Sequence, residues 1–119
     1  DDAGLTLDDL ATVETHDCFT TAELLEYEAM GLTPMGKGRI AIDEGWTLKD
    51  GKLPVNPSGG LKAKGHPIGA TGVSMHILAA MQALGSAGDM QVARSGPTAV
   101  FNMGGTAVAN YVSILEAER

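Results

Sequence analysis

The sequence predicts an α/β domain whose central helix and sheet need cover from outside the chain. Between Lys64 and Asp89 no residue is charged at pH 7, apart from any protonated histidine, whereas a surface helix needs a polar face. The segment 107–115 has apolar residues on both faces of a strand, and a sheet buried on both faces needs a layer on each side. A chain of 119 residues cannot easily supply all these layers, so we expect another domain or subunit to supply the rest.

The first elements are predicted to be a strand and a helix. Residues 10–16 have the β-branched content and the length of a strand. A helix is predicted to follow Thr20, as its N-cap residue, and to run to about Met30, because Thr20 and Glu23 have the spacing of a capping box and Gly31 follows the last turn. The acidic residues of this helix are predicted to form a solvated face: Glu23, Glu26 and Glu28.

The region from Met35 to Gly65 is predicted to be loop-rich, and a helix and two strands are predicted to follow it. The Asp-Gly pair at 50–51 predicts a hairpin within residues 46–55. A long helix is predicted over 68–84, ended by a glycine, and its His76 is interpreted as a core histidine. The segment 98–115 predicts two strands joined near Gly104.

Composition and charge exclude several function classes. Hydrophobic residues make up 44% of the chain and charged residues 19%, which is typical of a folded domain. The net charge of −7 and the aromatic content of 4% argue against nucleic acid or an anionic membrane as a partner. Cys18 is the one cysteine, which excludes an internal disulfide framework and a multi-cysteine zinc site. We therefore expect a reducing, cytoplasmic setting, no metal and no membrane span.

The richest motif runs from Asn56 to Gly72 and places five glycines around His66. Glycine permits tight turns and close approach of a ligand to the backbone. The predicted helix begins just after His66, and a helix N-terminus supplies free N–H groups and a positive dipole that can stabilise a thiolate or an oxyanion. On composition alone, a structural glycine-rich loop fits this motif as well as a catalytic one.

Three motifs resemble those of the thiolases. The block 56–72 resembles the thiolase histidine motif, and residues 16–19, His-Asp-Cys-Phe, resemble the variant of the sterol-carrier-protein-type branch. Residues 102–105, Asn-Met-Gly-Gly, fall where biosynthetic and degradative thiolases carry Cys-x-Gly-Gly. The motifs come in matching order, so the chain is identified as a thiolase-like C-terminal domain over 1–119. The resemblance implies the C-terminal half of a five-layered αβαβα fold, with segment 68–84 as a central helix between two sheets.

The resemblance also implies an acyltransferase that condenses acyl-CoA units, or cleaves 3-oxoacyl-CoA, by Claisen chemistry. His66 matches the histidine that activates a nucleophilic cysteine and binds a thioester oxygen. His16 matches an oxyanion-hole residue, Cys18 the acid/base of the sterol-carrier-type branch, and the N–H of Gly104 the donor of a second oxyanion hole. Without the family, Cys18 also fits a small buried hydrophobe. The final motif departs from the pattern, because Asn102 replaces the usual cysteine and Phe101 stands where the branch commonly has histidine.

The acylating cysteine of thiolases has no match here, since Cys18 is the only thiol. The chain alone is therefore expected to be inactive, and its expected partners are an acyl-CoA substrate, the missing N-terminal half or a partner subunit, and other copies in an oligomer. No covalently bound cofactor is expected; coenzyme A thioesters are the implied substrates. Lys62 and Lys64 either contact CoA phosphates or are solvated loop charges. Two other functions stay open: retro-aldol cleavage of hydroxyacyl-CoA side chains, and a non-catalytic thiolase-like scaffold.

Overall fold

Three strands form one mixed sheet in the computed structural model, which describes residues 2–118. Strands β1 (Thr12–Thr15), β2 (Thr98–Gly104) and β3 (Ala109–Leu115) lie in the order β1-β2-β3. β1 runs parallel to β2, and β3 runs antiparallel to it. The predicted α/β class is confirmed, and so is the pair of strands predicted over 98–115. The two end residues of the predicted domain range, 1 and 119, lie outside the described residues.

A short extended segment continues the sheet beyond β1. The N–H of Val13 donates to the carbonyl of Pro54 at 3.0 Å, and the N–H of Asn56 donates to the carbonyl of Val13 at 2.8 Å. The side-chain oxygen of Asn56 then accepts the N–H of Thr15 at 2.8 Å. The first residue of the histidine motif is therefore fixed beside the strand that leads to His16.

Helices cover both faces of the sheet. They are α1 (Thr20–Ala29), α2 (Arg39–Asp43), α3 (Gly60–Lys64) and α4 (Thr71–Ala83). On one face Met75 and Ala79 of α4 pack on Val100 of β2. On the other face Tyr27 of α1 packs in a larger cluster with Val13 of β1. The chain thus forms an α/β/α arrangement with the carboxyl end of β1 leading into the candidate site.

Both predicted helix starts were wrong in detail. Helix α1 begins at Thr20 itself, with Phe19 as its N-cap residue, and no side chain caps it. Glu23 does not close a capping box but accepts a hydrogen bond from the hydroxyl of Tyr27. Helix α4 begins at Thr71 rather than at 68, because Gly69 has a φ of +77°, a left-handed conformation that an α-helix cannot contain.

The hairpin predicted over 46–55 does not form. The segment folds into successive turns, in which Gly51 N–H donates to Leu48 O and Leu53 N–H donates to Trp46 O. Val55 pairs in parallel with Val13 of β1 instead of with a hairpin partner. Burial against β1 therefore outweighs the local turn preference. The predicted strand over 10–16 is shorter than expected, at Thr12–Thr15.

Apolar surface remains open where outside cover was predicted. On α4, Val73 and Ile77 are 62% and 55% exposed, and on β3, Tyr111 and Val112 are 68% and 66% exposed. The described residues bury the opposite side of α4, which carries Thr71, Met75, Ala79 and Gln82. Within residues 2–118, no helix is both long enough and apolar enough to cross a membrane.

Candidate active site

The fold brings together the two histidines singled out in separate motifs. The rings of His16 and His66 meet edge to face, with centroids 4.8 Å apart and planes at 88°. His16 directly follows β1 and is buried, whereas His66 lies in the loop between α3 and α4 and is exposed. One imidazole is thus held by the sheet while the other faces open space.

The environment of His16 favours its neutral form. Burial lowers the pKa of His16, and the charge of His66 lowers it further, while the side chain of Asn102 and the charge of Asp17 oppose the shift. Its backbone N–H donates to the carbonyl of Phe101 at 3.1 Å. Its ring Nδ1 is buried with no hydrogen-bond partner among residues 2–118. A neutral imidazole keeps one N–H donor, which suits a group that binds an oxyanion.

Asp17 fastens the first motif to the glycine-rich loop. Its Oδ1 accepts the backbone N–H of Leu61, at the start of α3, at 2.8 Å. Gly60 has a φ of +65°, and a Cβ there would lie 2.0 Å from Asp17 Oδ2. Sequence reasoning missed Asp17, although a carboxylate between His16 and Cys18 was visible in the motif.

This close approach makes a testable prediction for Gly60. Gly60→Ala should lower the free energy of unfolding by about 2 kcal/mol or more, because it adds left-handed backbone strain to a clash with Asp17. Urea unfolding midpoints measure the change. Gly85→Ala is the matched control, because Gly85 has a similar φ of +69° and no atom within 4 Å of the added Cβ. Equal losses in the two variants would contradict a role for the Asp17 contact.

The two lysines of α3 have different environments. Lys64 Nζ lies 3.0 Å from Glu14 Oε2, and the two side chains are 19% and 1% exposed. Lys62 is exposed. The interpretation of Lys64 as a solvated loop charge was therefore wrong, since it belongs to an internal ion pair. Contact of either lysine with CoA phosphates stays a prediction.

Cys18 lies in a tight turn next to His16. Its backbone N–H donates to the carbonyl of His16 at 2.8 Å, and its side chain is a partly buried free thiol. It comes immediately before Phe19, the N-cap residue of α1. Its acid/base role stays a prediction.

Strand β2 carries the first three residues of the third motif, and Gly105 lies in the turn that follows. Asn102 and Gly104 lie two residues apart in the strand, and therefore on the same face of the sheet. The side chain of Asn102 lies against α4, because a Cβ on Gly72 would come within 2.7 Å of Asn102 Nδ2. Gly104 ends the strand opposite Ala109. The oxyanion-hole role of its N–H stays a prediction.

His76 makes internal hydrogen bonds, as expected of a structural histidine, but it is only partly buried rather than in the core. Its Nδ1 lies 2.7 Å from the carbonyl of Gly72, and its Nε2 lies 2.9 Å from Ser113 Oγ. Both ring nitrogens are thus engaged within the fold. The described residues contain no cluster of three or more histidine, cysteine or carboxylate side chains arranged to hold a metal ion.

Comparison with known proteins identifies the family of the chain. The sequence profile described as "Thiolase C-terminal domain-like" matches residues 1–117. The chain belongs to this thiolase C-terminal domain-like family. Human "Sterol carrier protein 2" is 50% identical over 90 residues, covering 76% of this chain and 16% of the human protein. "Acetyl-CoA acetyltransferase" of Methanothermobacter thermautotrophicus is 45% identical over 104 residues, covering 87% of this chain and 27% of that protein.

A solved structure has the same fold. The complex named "Ltp2-ChsH2(DUF35) aldolase" matches with a TM-score of 0.72 and 25% identity, covering 83% of this chain and 25% of that one. The family assignment and the α/β fold of a thiolase C-terminal domain are thus confirmed. The chain spans 16% of human sterol carrier protein 2 and 27% of the archaeal acetyltransferase.

Proposed function

We propose that this chain supplies the histidine-bearing half of a thiolase-like acyl-CoA active site. The observation that carries the proposal is the edge-to-face contact of His16 and His66 at 4.8 Å. Two imidazoles from separate motifs, one buried and one exposed, can share the work of binding a thioester oxygen and moving a proton. The Methanothermobacter relative, named an acetyl-CoA acetyltransferase, supports acyl transfer as the reaction class.

In this proposal each half of the site has its own task. His66 takes the proton of an acylating cysteine on another segment, and that thiolate attacks the acyl-CoA carbonyl and expels CoA, which leaves as the thiol with the proton from His66. Cys18, as thiolate, then removes a proton from the α-carbon of a second acyl-CoA, and the resulting carbanion attacks the acyl-cysteine. The acylating cysteine leaves as thiolate and recovers a proton from Cys18, so 3-oxoacyl-CoA is formed and both cysteines return to their starting protonation states. His16 and the N–H of Gly104 stabilise the thioester oxygens on which negative charge develops.

A second candidate is retro-aldol cleavage of a hydroxyacyl-CoA side chain. It is favoured by the structural similarity to the aldolase, at a TM-score of 0.72. Retro-aldol cleavage also leaves a thioester enolate but forms no acyl-enzyme, so it needs no acylating cysteine. The segment that carries the acylating cysteine is called the companion segment. Replacing its acylating cysteine by alanine separates the two reactions, because the replacement abolishes acyl transfer and spares retro-aldol cleavage.

The incomplete site predicts the behaviour of the isolated chain. The pure 119-residue protein should not cleave acetoacetyl-CoA in the presence of CoA, because it lacks a second thiol to receive the acyl group. Loss of absorbance of the magnesium enolate of acetoacetyl-CoA measures the reaction. Addition of the companion segment should produce activity, whereas cleavage by the pure chain would contradict the shared-site proposal.

A further inference from the structure

A buried ion pair links the two histidine motifs beneath the candidate site. Glu14 lies in β1, two residues before His16, and is fully buried. Its Oε2 accepts hydrogen bonds from Lys64 Nζ at 3.0 Å and from Ser58 Oγ at 2.8 Å. A buried carboxylate is strongly unfavourable without a partner. The pair therefore fixes the end of α3 against β1.

The other end of α3 is fixed in the same way. The N–H of Leu61 donates to Asp17, so one carboxylate holds the start of the helix and another holds its end. A helix of five residues has little stability of its own. Its position therefore depends on these two carboxylates, Glu14 and Asp17, which lie on either side of His16 in sequence.

We propose that the Glu14–Lys64 ion pair positions His66 against His16. Only Gly65, with a φ of +89°, separates Lys64 from His66. A displacement of the Lys64 backbone therefore also displaces the imidazole of His66. The inference rests on the proposed function, because it makes Lys64 a positioning residue for the acyl-CoA reaction. The hydrogen bonds of the Lys64 side chain go to Glu14 and Ser58, so it acts through the loop that carries His66.

Contact with a CoA phosphate is the competing role for Lys64. Its side chain is 19% exposed and its ammonium group is already paired. The ammonium group donates to Glu14 Oε2 and, at 3.4 Å, to Ser58 Oγ, so at most one of its three N–H groups is left for a phosphate. Movement of the ammonium group towards a phosphate would also weaken its pairing with a buried carboxylate. The exposed Lys62 carries no such penalty. The geometry favours a positioning role for Lys64.

The first test uses Lys64→Met in the protein assembled with its companion segment. The variant should lower kcat at least about tenfold, because a displacement of about 1 Å is enough to misalign a catalytic group. The KM for acyl-CoA should change by less than about twofold, because a positioning residue does not itself bind the substrate, so substrate binding is retained. Lys64→Arg should restore most of kcat, since a guanidinium group can still pair with Glu14. Lys37→Met, at an exposed lysine before α2, should leave both constants unchanged.

A second measurement tests directly whether the His16 and His66 rings stay in contact. In protein with labelled histidines, a nuclear Overhauser effect between the His16 and His66 rings should be present in wild type and in Lys64→Arg, and lost in Lys64→Met. If Lys64→Met does not fold, the Glu14→Gln/Lys64→Met double variant removes the buried charge as well as its partner, and should fold and lose the same signal.

The outcomes separate the two proposals. A raised KM with unchanged kcat in Lys64→Met, or an unchanged ring-to-ring signal in either folded variant, would overturn the positioning role. If the signal is present in wild type and lost in Lys64→Met, but the assembled wild-type protein shows no acyl-CoA activity, the positioning role is supported and the proposed function is overturned.

Discussion

Replacing His66 by alanine should abolish most of the acyl-CoA activity of the assembled protein. We expect kcat to fall by roughly 10²–10⁴-fold, the range for loss of a positioned general base. The folded state should be largely unaffected, because His66 is exposed and its ring contacts His16 only at an edge. Initial rates of acetoacetyl-CoA cleavage, with thermal unfolding measured in parallel, test both expectations.

The matched control is the histidine in the middle of α4. His76→Gln removes a ring whose two nitrogens are hydrogen-bonded to the Gly72 carbonyl and to Ser113 Oγ. The variant should therefore be less stable than wild type, and its kcat should stay within about threefold of the wild-type value. The opposite pattern, with activity lost in His76→Gln and kept in His66→Ala, would contradict the assignment of His66 as the base.

Sequence patterns that reflect burial predicted strands β2 and β3 and the uncharged helix α4. The apolar segment 98–115 with its central glycines became β2 and β3, because a short apolar run of strand length on each side of a glycine pair favours two strands. The absence of charge between residues 64 and 89 correctly located a helix with more apolar surface than the chain can cover. The two histidines of the site were found because each lies in a long motif.

Patterns that depend on tertiary contacts were not predictable. The Asp-Gly pair favours a hairpin locally, but Val55 gains more by pairing with β1. Lys64 and Glu14 are far apart in sequence, so nothing local indicates that they meet. Glu26 was predicted to face water with its neighbours, yet it is 2% exposed. A helix with acidic residues on several sides cannot expose all of them once it packs on a sheet.

The buried Glu26 carboxyl makes the stability of the fold depend on pH. Burial raises the pKa of Glu26 to about 8, the charges of Asp17 and Glu23 add to the shift, and the hydroxyl of Thr15 opposes it by donating to Oε2. The folded state therefore keeps a proton that the unfolded state releases above its ordinary pKa of 4.5. Stability is then present at low pH and is lost as the pH rises from 4.5 towards 8.

Glu26→Gln should remove this loss. Wild type should lose about 3 kcal/mol of stability from Glu26 between pH 5 and pH 8, whereas the variant has no proton to release there, so its advantage over wild type should grow across this range. Urea unfolding at pH 5, 6.5 and 8 measures the difference. Glu28→Gln is the control on the same helix, because backbone N–H groups of Gly36 and Gly38 lower the pKa of Glu28 and its stabilisation is lost only below pH 4.5. A stability difference between wild type and Glu26→Gln that stays constant from pH 5 to pH 8 would show that Glu26 is ionised in the folded protein.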